Sequence, residues 1–352
     1  MRILIVGTNV RNVAESAKKA GYKVIALTKF VDEDLRLYSC KIIKINGDRK
    51  WVKKKVEEIS EEEDAAVILS TGYEDLNVKA EVLGTNPDEA ARIRDKLKFY
   101  RILENTGIQF PEILKENEEG IVCKPRVGGG GERTFLNRIP DLGKREFIFQ
   151  KYIHGIPCSV SLIAGREITP IAVNEILAGW KEMNAKHFRY SGNITPLGVK
   201  GEERRELIKK AVETADLFDL KGSFGVDFIL ADKPYVLEIN PRFQGSLDGV
   251  EWSYDINLFR LHMQGVEGKS IEIKKPECFA GRAILFAERD VEINSSNLTG
   301  NPFFADIPPS GSYKRDEPLI SILASGHSRE DVSRKILERK YRFIDYISKN
   351  KN

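Results

Sequence analysis

Apolar residues follow two rhythms along this chain. Up to Ala91, short continuous apolar runs alternate with helical periodicity. Ile3–Val6 is one run, closed by Gly7-Thr8-Asn9, and Val13, Ala17 and Ala20 then recur at helical spacing up to Gly21. Val24–Leu27 and Val67–Leu69 are further runs. Continuous runs between helices mark strands buried on both faces, so residues 1–91 are expected to form a parallel α/β domain. Gly7-Thr8-Asn9 lacks GxGxxG spacing, so a tight strand-to-helix turn is expected there rather than a dinucleotide site.

Beyond Ala91 the strands become longer and more amphipathic. Arg92 to about Pro111 reads as one helix, with Leu97, Tyr100, Ile102 and Leu103 on its apolar face and Gly107 and Pro111 as stop signals. Strands are expected at Ile121–Pro125, Phe147–Tyr152, Ser159–Ile163 and Ile171–Ile176. A polar, aromatic loop is expected over Lys186–Gly198, suited to substrate binding or simply to the surface. An amphipathic helix over Glu202–Leu220 leads into a hairpin from Gly225 to Arg242, turning at Asp232-Lys233-Pro234. After Pro276, strands at Arg282–Phe286 and Leu319–Leu323 and a helix over Ser328–Arg339, capped by Ser328 or its neighbour, describe a small α+β unit. The expected division is 1–91, 92–275 and 276–352, with a nucleotide-side subdomain at about 111–155 and a metal hairpin at 224–242.

Composition narrows the function. Charged residues are 31% of the 352 and hydrophobic ones 41%, and the formal net charge is +3. That balance gives no footprint for nucleic acid, and no apolar run is long enough to span a bilayer. Arg49–Lys55 followed by Glu57–Asp64 is expected to be a solvated helical face. Cys40, Cys123, Cys158 and Cys278 show no CxxC spacing and are expected to be reduced, buried residues of a cytoplasmic protein. His154, His187, His262 and His327 are scattered, which argues against zinc.

The chemistry concentrates in the hairpin. Glu238 and Asn240 are two apart and face the same way on a strand, and Asp227 lies on the neighbouring run. Three oxygen donors, incomplete by themselves, suit Mg²⁺ completed by phosphates and water. Upstream, Lys124 and Arg126 flank Gly128, Gly129, Gly130 and Gly131. Four glycines cannot hold a helix or strand interior; they predict a mobile loop whose amides approach phosphate.

Taken together, Asp95-Lys96, Lys124-Pro125 with the glycine loop, Gln150-Lys151-Tyr152-Ile153 and Asp227…Glu238-Ile239-Asn240-Pro241-Arg242 resemble the ATP-grasp superfamily over most of the chain. Gly155–Ser161 is similar to a carboxylate–amine ligase branch that includes tyramine–glutamate ligase-like archaeal members. Ala305–Pro309 and Glu317–Ile320 are similar to the closing region of biotin carboxylase and related purine-pathway members. The resemblance implies an ATP-grasp fold, with an N-terminal α/β domain and a small C-terminal α+β unit, and an enzyme joining a carboxylate to an amine through an acyl phosphate. ATP and Mg²⁺ (or Mn²⁺) would be its cofactors, small acids and amines its partners, and a homodimer a common assembly.

By the same resemblance, Lys96 and Lys124 would contact phosphates under the Gly128–Gly131 loop. Gln150, Lys151, Tyr152 and Ile153 would line adenine. Asp227, Glu238 and Asn240 would hold metal, and Arg242 would steady the acyl phosphate beside Lys124. Three positions depart from the pattern. The usual ribose-gripping acid would fall at Pro157 or Cys158, leaving Ser159 as a candidate. Gln150 stands where Glu is frequent. Gly225 stands where D-alanine ligases carry an arginine. Two other readings stay open: a purine-pathway type enzyme using formate or a small acid, and an ATP sensor without catalysis.

Overall fold

The protein is described by a computed structural model covering residues 1–115, 119–138 and 146–349. Parts of the expected nucleotide-side subdomain (116–118, 139–145) and the last three residues of the expected C-terminal unit lie outside the described residues.

The first ninety residues form the expected parallel sheet. Strands β1 (Arg2–Gly7), β2 (Lys23–Thr28), β3 (Lys41–Lys44) and β4 (Ala65–Leu69) lie in the order β3-β2-β1-β4, all parallel. Helices α1 (Arg11–Lys19), α2 (Leu35–Tyr38) and α3 (Arg49–Glu63) connect them. The continuous apolar runs are buried on both faces: Ile3 and Ile5 pack toward α1, Leu4 and Val6 toward α3. The solvated face of α3 carries Lys–Glu pairs one turn apart, Lys53 with Glu57 and Lys54 with Glu58. Gly7-Thr8-Asn9 is a strand-to-helix turn, and the Thr8 amide donates to the Thr71 carbonyl at 2.8 Å.

The helix expected from Arg92 to about Pro111 is shorter and broken: its first residues end α4 (Pro87–Arg94), and α5 (Lys96–Leu103) stops before Gly107. Asp95 breaks them apart. Its backbone is extended (ψ 98°), and its carboxylate accepts from the Leu97 and Lys98 amides as the cap of α5. A small antiparallel sheet follows, β6-β5-β7, from β5 (Ile121–Pro125), β6 (Phe135–Leu136) and β7 (Phe147–Lys151).

The largest element is an eight-stranded antiparallel sheet. It contains β8 (Ile156–Ala164), β9 (Ile168–Ala178), β10 (Tyr190–Thr195), β11 (Gly222–Leu230), β12 (Pro234–Asn240) and β13 (Phe279–Phe286). With β15 (Phe304–Ala305) and β17 (Pro318–Gly326), their order is β12-β11-β8-β9-β10-β13-β17-β15. The C-terminal strands therefore extend the central sheet, and β14 (Val291–Ile293) with β16 (Gly311–Tyr313) forms a separate ribbon. Helix α6 (Gly201–Ala215) packs on one face. Helices α7 (Leu247–Tyr254) and α8 (Leu258–Val266) lie on the other, and α9 (Arg329–Lys349) closes the C-terminal strands. Ser328 caps α9, accepting from the Asp331 amide at 3.1 Å.

Two expectations fail. The Lys186–Gly198 loop contains β10, a central strand. Its side chains Ser191, Asn193 and Thr195 are polar yet buried, so it shows no apolar alternation. Each finds a partner inside the protein: Thr195 Oγ1 donates to Asn174 Oδ1 on β9 at 2.6 Å, Asn193 Nδ2 lies 3.5 Å from Thr195 Oγ1, and Ser191 donates to the Leu177 carbonyl at 2.7 Å. The cysteines are reduced, but Cys40 is exposed and Cys278 only half-buried; Cys123 and Cys158 are buried as expected. Among the described residues no helix is long and apolar enough to cross a membrane.

His262 joins the N-terminal unit to the large sheet. Its Nδ1 accepts from the Ser223 amide at 2.8 Å, and its Nε2 lies 3.0 Å from the Leu83 carbonyl. Burial pushes its pKa down to about 4 despite the Leu83 carbonyl. A base depressed in the folded state contributes stability present above its unfolded pKa and lost as pH falls toward the folded value. Between pH 6.5 and 4, denaturant titrations should therefore show wild type losing about 3 kcal/mol more than His262→Gln, and parallel pH curves would refute this.

Candidate functional site

The site is built on the hairpin β11–β12, where Asp227 pairs directly with Glu238 and Ser159 on β8 pairs with Asp227 from the other side. Paired residues in a ladder project to the same face, so two carboxylates stand side by side above a polar floor. A bulge follows Asp227, which is a common device for aiming a side chain at a site.

Cations from three other segments close on this pair. Asp95 starts α5 so that Lys96, the first helical residue, reaches inward. Lys96 Nζ lies 2.9 Å from Glu238 Oε2 and also donates to the Gly128 carbonyl at 2.6 Å. Lys124 on β5 donates to the Tyr100 hydroxyl at 3.1 Å. Tyr100 in turn donates to the Leu237 carbonyl at 2.5 Å, beside Glu238. Arg242 follows β12 and is fixed from several sides. It donates to Asn240 Oδ1 at 3.0 Å, to the Phe243 carbonyl at 2.9 Å and, more weakly, to Glu74 Oε1 at 3.4 Å.

The electrostatics follow from this packing. Burial and the facing Glu238 push Asp227 up to about 7, against the pull of Arg242, Asn240 and Lys96. Burial alone would raise Glu238 too, but Lys96, Lys124 and Arg242 outweigh it and hold that carboxyl below its ordinary value. The two titrate as one unit: one charge is compensated by lysine, the other is not. Burial brings Lys124 down to about 8 although both carboxylates oppose this.

Asp227, Glu238, Lys96, Lys124 and Arg242 are thus brought together as expected. Asn240 is beside them, but its Nδ2 faces Asp227 at 2.9 Å and its oxygen faces Arg242. It presents oxygen to an ion over the carboxylates only after its amide turns. The glycine loop is tied down rather than free, by Lys96 at Gly128 and by the Tyr190 amide donating to the Gly130 carbonyl at 2.9 Å. Gly131 has φ +70°, and a Cβ there would lie 1.8 Å from the Phe188 carbonyl oxygen, so the loop needs glycine to dock on the start of β10.

The expected adenine and ribose residues are placed differently from one another. Gln150 turns inward, donating to the Pro111 carbonyl at 2.9 Å. Lys151 is exposed, and its amide donates to the Glu112 carbonyl. Tyr152 meets His154 edge-on and Phe188 at a ring distance of 6.2 Å, and Ile153 lies between them, half-buried. Ser159 lies in the floor under Asp227, its hydroxyl accepting from Asn174 at 3.2 Å. At Gly225 the space a side chain would take is filled by the Gln244 amide, which lies over it and accepts from the Ser161 hydroxyl at 2.7 Å.

Two groups escaped the sequence. Glu74 follows β4 and reaches Arg242 across the domain boundary. Arg11 is wholly buried, paired doubly with Asp248 (2.9 and 2.8 Å) and with Asp306 at 3.1 Å; Arg282 also pairs with Asp306. An arginine opening a helix looks like any solvated residue, so no local signal marked it.

Two carboxylates thus stand ringed by lysines and an arginine, on a hairpin facing a glycine loop, an arrangement chemically able to take an anion and a cation together. Residues 93–246 match the ATP-grasp domain family, so this part of the chain is an ATP-grasp domain. Its fold is the ATP-grasp fold. Along the sequence it is 29% identical to an uncharacterized protein of Methanocaldococcus jannaschii, over 95% of this chain and 90% of that one. It is 25% identical to a tyramine–L-glutamate ligase of Methanocaldococcus fervens, over 63% of this chain and 74% of that one. In structure it is similar to an L-amino acid ligase from Bacillus licheniformis, with TM-score 0.72, 17% identity, and coverage of 98% of this chain and 97% of that chain.

Lys96 is the partner that offsets Glu238. Lys96→Ala should lower the stability of the ligand-free protein by about 2 kcal/mol, because it removes the one cation in direct contact with a mostly buried carboxylate. Saturating Mg²⁺ should restore part of the loss in thermal unfolding; unchanged stability would mean that water already screens the pair.

Proposed function

We propose that the chain is an ATP-dependent ligase that activates a small carboxylate as an acyl phosphate and joins it to an amine, releasing ADP and phosphate. An ATP-grasp domain implies ATP-dependent carboxylate activation, and the similarity to a tyramine–L-glutamate ligase supports an amine as acceptor. The observation that carries the reading is the Asp227–Glu238 pair with Lys96, Lys124 and Arg242 around it.

The donor set fits Mg²⁺. Burial and the facing Glu238 push Asp227 up to about 7, a repulsion that a divalent ion at the pair would relieve. Among the described residues no three His, Cys, Asp or Glu side chains gather into a metal centre, so an ion here takes the rest of its shell from phosphate and water. When bound, Mg²⁺ neutralises phosphate charge and orients the polyphosphate. Asp227 and Glu238, with Asn240 after rotation of its amide, would hold it.

The chain's own residues do the remainder. Attack of a carboxylate on the γ-phosphate brings anion against anion, so cations must be preplaced. Lys96 and Lys124 bind phosphate oxygens; for Lys96 a phosphate oxygen replaces the Gly128 carbonyl it now holds. That exchange releases one tie of the glycine loop, letting Gly128–Gly131 lie over the phosphates. Lys124, brought down to about 8, remains largely charged at neutral pH. Gln150 to Ile153 line the adenine. Arg242, already oriented by Asn240 and Phe243, meets the charge on the acyl phosphate. Loop closure keeps water from that intermediate.

Substituting Glu238→Gln removes one charge without changing shape. ADP release in a pool of amino acids, amines and small acids should fall by about 100-fold or more, with the folded structure kept. Turnover close to wild type would remove Glu238 from the mechanism.

A further inference from the structure

The N-terminal unit contributes one side chain to the cleft whose bonding is incomplete. Glu74 is 8% exposed, and its Oε1 lies 3.4 Å from Arg242 Nε. Its Oε2 is buried without a hydrogen-bond partner. A buried carboxylate oxygen without a donor is costly, and such an atom usually marks a position completed by something else. It is also not packed solid. Glu74 and Arg242 share a cavity of about 10 Å³ with Thr85, Ser223, His262 and the exposed Lys221, space for about one water-sized group, the size of an ammonium.

Its place in the fold points the same way. Glu74 follows the carboxyl end of β4, which neighbours β1 on the side away from β2. In the order β3-β2-β1-β4 the connections reverse direction between β1 and β4, the crevice in which open α/β sheets bind ligands. The two strand ends approach closely here: a Cβ on Gly72 would lie 2.9 Å from Thr8 Oγ1. The missing partner must donate hydrogen bonds, tolerate a carboxylate, and come within reach of the group Arg242 holds. A primary ammonium meets all three conditions.

We propose that Glu74 Oε2 binds the ammonium group of the acceptor amine and takes a proton from it beside Arg242. This rests on the ligase reading above and names the subsite of its second substrate. One N–H proton passes to the Glu74 carboxylate. The freed nitrogen lone pair forms the C–N bond at the acyl carbon, and the C–O bond to phosphate breaks with its electron pair going to phosphate. The second nitrogen proton leaves with the phosphate.

The test uses the full chain with Mg·ATP and a pool of the twenty L-amino acids plus tyramine. Hydroxylamine serves as a small nucleophile that traps acyl phosphate as a hydroxamate without needing an ammonium site. With Glu74→Gln, amide product measured by mass spectrometry should fall by about 30-fold or more through a raised KM for the amine, while hydroxamate stays within about threefold of wild type. Glu74→Asp should recover part of the amide. Unchanged amide yield overturns the proposal. Amide and hydroxamate falling together also overturn it, because Glu74 then acts only by holding Arg242. A wild type that forms hydroxamate but no amide overturns the amine site and leaves carboxylate activation standing; one that forms neither removes the ligase reading itself.

Discussion

Two carboxylates on adjacent strands repel one another, and burial makes the repulsion stronger. Asp227 and Glu238 stand in that relation, and everything around them follows from the need to offset it. The compensation is partial in the ligand-free protein. Lys96 takes Glu238, while Asp227 has only the amide of Asn240 close by, at 2.9 Å, and a distant Gln244. On the proposed reading, a cation arriving with the substrate takes the place beside Asp227 that no side chain fills.

The fold delivers the cations from separate segments, and this is why so much chain is needed for so few groups. Lys96 depends on the break at Asp95, whose carboxylate caps α5 and also pairs with Arg126 at 2.5 Å, tying the helix to the root of the glycine loop. Lys124 rests on Tyr100, buried between Phe99 and Phe110. Arg242 is shared with the N-terminal unit through Glu74. Behind them the wholly buried Arg11 joins α1 to Asp248 at the start of α7 and to Asp306 near β15, and Arg282 joins β13 to the same Asp306. Breaking one member of such a network leaves a buried charge unpaired, so the three regions hold a fixed relation at the cleft.

What could be read in advance depended on whether a pattern was local. The parallel sheet was legible because strands buried on both faces are continuous apolar runs. The hairpin was legible because Asp227, Glu238 and Asn240 interrupt such runs at strand spacing. Strand β10 was not, because Ser191, Asn193 and Thr195 find hydrogen-bond partners inside the protein, and a polar strand resembles a loop. The break at Asp95 was hidden by apolar residues that continue at helical spacing through it. Glu74, Arg11 and Arg282 were invisible for a deeper reason: each acts through a partner more than twenty residues away in the chain.

The central claim is that the carboxylate pair is completed by a divalent ion brought with ATP. Isothermal titration of ATP into the purified chain, with Mg²⁺ and then with excess chelator, tests it most directly. The account predicts saturable heat with magnesium and little or none without it. Equal affinity in both conditions, or no uptake in either, would contradict it.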